Sequence, residues 1–245
     1  MLTIEMILEV VKKLISVAEK YDPEMVFAIV LQMYAGLRSA EVCSLRQEDS
    51  VFGPSVRLAH AGGDIQDCTG ITIDLLHDHP LRSDAKSTGW IKTKRIHEVF
   101  AENIPIIETA YKQHLALIRS KPVETSRPLF LCRYPDKKTG AYMALTVRGY
   151  RSRVKRLYYD HVLPACREDA NPILRKYFRE TQVTPWGPRN LRQWYLLTSI
   201  TKTTRKEDLV RYSINKDLRL QYYSDVGNRE GEKNGKDTYR GTQCT

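Results

Sequence analysis

The chain opens in a helical rhythm. Ile4, Ile7, Leu8, Val11, Leu14, Ile15 and Ala18 recur at three- and four-residue intervals, which predicts an amphipathic helix over Leu2–Glu19. Asp22-Pro23 breaks it and starts another helix. From Met25 to Tyr34 the run MVFAIVLQMY is nearly all apolar, so this second helix is expected to be buried on every side. Gly36 then suits a helix end and Ser39 the cap of the next helix, which leaves Arg38 in a tight junction between two buried helices. Between Val51 and Phe100 the pattern changes. Val51–Leu58 and Ile71–Leu76 read as strands, and a third lies within Trp90–Phe100, separated by Gly- and Asp-rich connections. Helix returns with the amphipathic Asn103–Arg119, and Pro128–Cys132 is a short buried piece. Thr146–Leu163 is expected as a basic helix carrying Arg148, Arg151, Arg153, Lys155 and Arg156. Pro188 suits the first turn of a further helix. Lys206–Tyr212 and Lys216–Ser224 read as short helices. After Asp225 the chain is polar and Gly-rich, with little to bury. The expected fold class is mainly α with a small antiparallel β-sheet (α+β), as one domain over residues 1–225 and a flexible tail over 226–245.

Charge narrows the partner. Across 245 residues, 39 Lys+Arg stand against 29 Asp+Glu, a net charge of +10. Such an excess favours a polyanion, nucleic acid first. The five cysteines (Cys43, Cys68, Cys132, Cys166 and Cys244) are scattered and include no CxxC pair, so neither a zinc site nor a disulfide framework is indicated. Reduced thiols fit a cytoplasmic location. No apolar run approaches membrane-spanning length, and the first twenty residues carry acidic groups rather than a leader pattern. His77-Asp78-His79 invites a metal reading, but nothing near it in sequence completes a ligand set.

The candidate chemistry is a series of cations and hydroxyls. Arg189 and Arg192 lie three apart at a helix start, on one face and beside free backbone N–H groups, an arrangement suited to an anion. In chain order the sequence offers Arg38 at its junction, Lys92 within Lys92-Thr93-Lys94, Arg189 with Arg192, and a Tyr222-Tyr223 pair. Ile214, Leu218 and Tyr222 form a four-residue stripe that would face a core, and Tyr223 falls about 100° off it. Tyr223 is therefore the preferred hydroxyl and Tyr222 the second choice. Lys92 is preferred to Lys94, although a strand would point both the same way.

This order resembles the catalytic domain of the tyrosine recombinases, the phage-integrase family. Ala35-Gly36-Leu37-Arg38-Ser39-Ala40-Glu41-Val42-Cys43-Ser44-Leu45 is similar to the family's T-G-L-R-x-x-E-x-x-x-L box, with Ala35 in place of threonine. Lys92-Thr93-Lys94 resembles its hairpin lysine motif. Its T-P-H-x-L-R-H box corresponds to Thr184-Pro185, an insertion, and Arg189-Asn190-Leu191-Arg192-Gln193. Tyr223-Ser224-Asp225 resembles the nucleophile box, and Tyr223 lies 31 residues after Arg192, about the family's separation. The last histidine of the chain is His161, so Arg189 takes the place of the box histidine, and Ser213 or Tyr212 that of the later His/Trp.

The resemblance implies DNA strand cleavage and rejoining through a 3′-phosphotyrosine, as in the integrase of a mobile element. It implies no cofactor and no metal, with double-stranded DNA as partner and a tetramer on DNA for full-length members. It places the catalytic set at Arg38, Lys92, Arg189, Arg192 and Tyr223, and DNA contacts at Lys94, Arg95, Arg148, Arg151 and Arg153. The family's core-binding and arm-binding domains are expected to be absent from this stretch. The chemistry is coherent. A tyrosine hydroxyl that attacks phosphorus keeps the phosphodiester energy in an ester. Guanidiniums, always charged, grip the equatorial oxygens. A lysine protonates the leaving 5′ oxygen. The alternatives are a type IB topoisomerase-like enzyme, a DNA-binding remnant without catalysis, and a basic helical regulator such as a winged-helix protein, in which the two arginines and the tyrosine need not converge.

Overall fold

The computed structural model describes residues 3–60, 67–84, 86, 88–181 and 186–202, with side chains as far as 198. The chain divides into two units, Met1–Ser199 and Ile200–Thr245, and the second lies, beyond Lys202, outside the described residues. The helices expected at Lys206–Tyr212 and Lys216–Ser224, and the tail after them, fall there too.

Helix α1 spans Ile4–Tyr21 and is capped by Thr3, whose hydroxyl accepts from the Met6 N–H at 3.2 Å. Its buried face is Met6, Ile7, Val10, Val11, Leu14, Val17 and Ala18, while Ile4 and Leu8 are exposed. The face is rotated from the one the sequence suggests, because α2 and α7 press on an arc that recruits Val10 and Val17. Helix α2 (Val26–Tyr34) is buried from Val26 to Met33, as its composition requires, and α3 (Ser39–Cys43) follows within five residues.

The sheet is three antiparallel strands in sequence order: β1 (Val56–His60), β2 (Cys68–Leu75) and β3 (Arg95–Glu98). Val56 pairs with Ile73 and Leu58 with Ile71, and Ile73 also faces His97, so one face alternates inward. Two strands are shorter than expected. Val51–Pro54 is a turn, broken by Gly53 and Pro54, and Lys92 and Lys94 precede β3 in a bend rather than lying on the strand.

Helix α4 (Ile104–Ile118) packs on α2 and β2. Helix α5 (Val147–Leu157) runs through a widened π turn, Tyr158–Val162, into α6 (Leu163–Arg167). Pro164 has no N–H for the carbonyl one turn back, and the wider turn absorbs that loss. Helices α7 (Pro172–Thr181) and α8 (Pro188–Lys202) complete the described part. The architecture is the expected one, mainly helical with a small antiparallel sheet.

Two buried histidines set an acid limit. Burial pushes both His97 and His114 down to about 4, with the Arg95 charge adding to the effect on His97 and the Leu129 carbonyl opposing it on His114. Both are neutral in the folded chain at pH 6, whereas the unfolded chain begins to protonate them near pH 6.5. Depressed histidines favour folding above that pH, and the contribution is lost as pH falls from about 6.5 toward 4. The urea midpoint is expected to drop steadily across that window, before most carboxylates titrate; a midpoint flat between pH 6.5 and 4.5 would contradict it.

Candidate active site

The site is built on the α2–α3 junction. Gly36 has φ +67°, a conformation that side chains with a Cβ rarely adopt. A Cβ there would lie 2.3 Å from the Tyr195 ring on α8. The junction's backbone groups are claimed from several sides. Gln32 donates to the Leu37 carbonyl at 3.1 Å and accepts from the Tyr150 hydroxyl at 2.5 Å. Asn103 donates to the Tyr34 carbonyl at 2.8 Å. Arg192 donates through Nε to the Gly36 carbonyl at 2.9 Å. A turn held this way presents Arg38 in one direction.

Arg38, not Ser39, occupies the cap position of α3, and Ser39 is the first helical residue. The cap works in reverse of the expected hydroxyl. Glu41, in the first turn of α3, accepts from the Arg38 backbone N–H at 2.7 Å. The same carboxylate is fully buried and takes two guanidiniums. Arg38 Nη1 sits 2.9 Å from Oε1; Arg95 Nη1 sits 2.8 Å from Oε1, and its Nη2 3.3 Å from Oε2. Burial pushes the Glu41 carboxyl up, but the hydrogen bonds and charges of Arg95 and Arg38 outweigh it, and it remains ionised.

Arg192 is the third cation of the cluster. Burial, then the repulsion of Arg38 and Arg95, lowers it to about 10, with Glu41 acting the other way, so it is charged at neutral pH. Among the described residues no carboxylate lies within ion-pair distance of Arg192. Two guanidiniums on one carboxylate and a third close by leave a net positive charge, with part of the Arg38 side chain, 23%, open to solvent. That arrangement is suited to an anion.

The hairpin backbone beside Lys92 lies against the same junction, where the Thr93 carbonyl accepts from Arg95 at 3.0 Å. Gly89, at φ +95°, brings the backbone so close that a Cβ would meet Ala40 of α3 at 2.6 Å and Val147 of α5 at 2.7 Å. Asp78 then fastens the bend, accepting from the Ile91 N–H at 2.6 Å and pairing with Lys94. This separates two lysines that the sequence leaves open: Lys94 is paired, and Lys92 stands exposed between anchored neighbours. Lys94→Ala is therefore expected to loosen the bend, and Lys92→Ala to leave it intact. Faster amide hydrogen exchange around Ile91 in Lys94→Ala but not in Lys92→Ala checks this.

The remaining sequence candidates divide. Arg189 is exposed at the start of α8, and among the described residues no contact joins it to the cluster. Arg148 and Arg151 are exposed on α5, and Lys155 continues their stripe to Gly187, at the entrance of α8. Arg153 points elsewhere. Its guanidinium pairs with Asp22, with Nε 2.9 Å from Oδ2, and donates to the Leu131 carbonyl at 3.1 Å, so it fastens α5 to the end of α1 rather than facing a ligand. Arg95 likewise turns inward to Glu41 instead of outward. Tyr222, Tyr223, Tyr212 and Ser213 lie outside the described residues, as do Thr184 and Pro185.

Sequence reasoning did not single out Arg95, His97 or Tyr195 as members of this neighbourhood. A signal existed for two of them. Val99 is buried, and strand alternation back through His97 turns Arg95 to the same side.

No protein-family model matches the chain, and no curated protein does. Solved structures do. The XerH site-specific recombinase, bound to a palindromic difH substrate as a post-cleavage complex, superposes with a TM-score of 0.53 at 15% identity, over 95% of this chain and 52% of that one. XerA recombinase gives 0.43 at 16% identity, over 89% of this chain and 62% of that one. The Tn1549 transposon integrase with circular intermediate DNA gives 0.44 at 15% identity, over 86% and 57%. The chain thus shares its fold with the XerH site-specific recombinase. This chain spans less than two thirds of the length of each of these structures.

Proposed function

We propose that this chain cuts and rejoins DNA in site-specific recombination, through a covalent 3′-phosphotyrosine, as the integrase of a mobile element. The observation that carries the reading is the convergence of Arg38 and Arg192 on the Gly36–Glu41 turn, on a fold shared with a site-specific recombinase. The buried Glu41 carboxylate holds Arg38, and the Gly36 carbonyl holds Arg192, at one junction, an arrangement that a regulator which merely binds DNA does not need.

The roles follow from the chemistry. Arg38 and Arg192 hold the non-bridging oxygens of the scissile phosphate, and their charge offsets what builds there as phosphorus becomes five-coordinate. Tyr223 gives its phenolic proton to solvent as its oxygen attacks phosphorus; the bond to the 5′ oxygen breaks, and Lys92 supplies the proton that oxygen takes. Rejoining runs the same steps backward. Arg189 contacts an adjacent phosphate rather than the reacting one, since an arginine does not shuttle protons at neutral pH. No metal or cofactor enters the scheme. Double-stranded DNA is the substrate, and a tetramer on two duplexes is the working assembly.

Arg148 and Arg151 on α5 serve as phosphate contacts that give affinity without reading sequence. Substituting either by alanine is expected to lower the slope of log K against log salt by about 1. Arg153→Ala should leave that slope unchanged and lower the melting temperature instead. Titrations of duplex binding at several salt concentrations check both.

The reading is tested with a pool of duplexes that carry a randomised segment and a nick. Cleavage beside a nick releases a short strand that diffuses away and traps the enzyme on DNA. The expected result is a band of protein joined to DNA that survives denaturant, selects a reproducible sequence and is lost in Tyr223→Phe. Binding without adduct would favour a DNA-binding remnant. An adduct that relaxes supercoils through strand rotation, with no exchange between duplexes, would favour a topoisomerase-like enzyme.

A further inference from the structure

Arg95 has a task that neither the arginine clamp nor the lysine performs. Its Nη1 donates to two acceptors at once: the Thr93 carbonyl at 3.0 Å and Glu41 Oε1 at 2.8 Å. Thr93 is the residue directly after Lys92, and Glu41 Oε1 is the oxygen that also holds Arg38 Nη1, at 2.9 Å. One guanidinium therefore joins the backbone beside the lysine to the carboxylate beside the arginine.

The bond inventory shows which partner depends on it. Arg38 is held to Glu41 twice without Arg95, once through its backbone N–H and once through its own guanidinium. The Thr93 carbonyl reaches the α2–α3 junction through Arg95. Asp78 fixes the bend internally, through Ile91 and Lys94, but does not connect it to that junction. The incoming limb is seated by Gly89 against Ala40, and the outgoing limb by Arg95 against Glu41, with Lys92 between them.

We infer that Arg95 is a positioning residue that tethers the β2–β3 hairpin to the arginine–carboxylate junction and so places the Lys92 ammonium at the leaving oxygen. The inference rests on the recombinase reading and adds a residue to it. It also reassigns Arg95, whose sequence expectation was a direct DNA contact.

A leaving group that needs no proton makes the tether visible. If the bridging 5′ oxygen of the scissile phosphate is replaced by sulfur, the P–S bond breaks with departure of a thiolate, which is stable without protonation at neutral pH. Loss of proton delivery then costs little, whereas loss of phosphate gripping costs as much as before. The duplex captured by the wild-type chain is made in both forms, and single-turnover cleavage is measured at saturating protein. Arg95→Gln is expected to cleave the all-oxygen duplex about 10²-fold more slowly than wild type. On the sulfur duplex it should come within about 5-fold of wild type, in parallel with Lys92→Ala and unlike Arg192→Ala. Arg95→Lys retains the charge beside Glu41 but cannot span both acceptors, so it should show the same recovery; it carries the test if Arg95→Gln does not fold. A deficit equal on both substrates, or no deficit, would overturn the tether. Absence of any wild-type adduct would instead sink the recombinase reading, and the tether's chemical role with it.

Discussion

Arg192→Ala is expected to slow DNA cleavage by about 10²–10³-fold, while duplex affinity changes far less. The asymmetry follows from where the residue sits. Arg192 is half-buried, lies off the exposed α5 stripe, and spends one N–H on the Gly36 carbonyl. Its remaining donors are free to meet charge that develops only as the phosphate reacts. A group that acts mainly in the transition state lowers the rate without a matching loss of binding. Arg192→Lys is expected to recover little, because an ammonium cannot both fork a phosphate and hold the Gly36 carbonyl. Single-turnover rates and duplex titrations on the same captured sequence give both numbers. A loss confined to affinity would move Arg192 out of the reacting centre.

Gly36→Ala should be the most damaging small substitution in the described fold. It combines a left-handed backbone with an overlap on Tyr195, a side chain buried within α8. The left-handed penalty and over-packing together come to roughly 2–5 kcal/mol, a large share of a typical domain's stability. The two causes separate in a double variant. Tyr195→Ala removes the ring that a Cβ at position 36 would strike but leaves the backbone strain. Gly36→Ala with Tyr195→Ala is therefore expected to be more stable than the sum of the single losses predicts. Strict additivity in urea unfolding would show that the ring yields freely. The same substitution should impair cleavage in whatever fraction folds, since Arg192 is anchored on that turn.

The junction was legible in the sequence because its causes are local. An apolar run, a glycine and an arginine within fourteen residues, Met25 to Arg38, define a buried helix, its end and the side chain left there. The sheet was legible as alternation, though not its ends, where Gly53, Pro54 and the bend at Lys92 shorten the strands. Helix α7 went unassigned: Leu174, Tyr177 and Thr181 are a thin stripe among Arg175, Lys176 and Arg179, too sparse to announce a buried face. The side-chain roles that sequence reasoning missed all depend on distant partners. Arg95 meets Glu41 across 54 residues, Lys94 meets Asp78 across 16, and Arg153 meets Asp22 across 131. Composition marks each of them as one more surface cation, and only the fold distinguishes a tether, a latch and a strut from a DNA contact. Glu41 combines both cases, because Arg38 lies three residues away and its second arginine lies 54 away.

Peptide mapping of the trapped adduct is the most direct test of the central claim. The wild-type chain is captured on the nicked pool and digested with nuclease and protease, and the residue carrying the nucleotide remnant is read by mass spectrometry. The account predicts a nucleotide joined through its 3′ phosphate to the hydroxyl of Tyr223. A remnant on serine, a 5′ linkage, or DNA bound without any covalent remnant would contradict it.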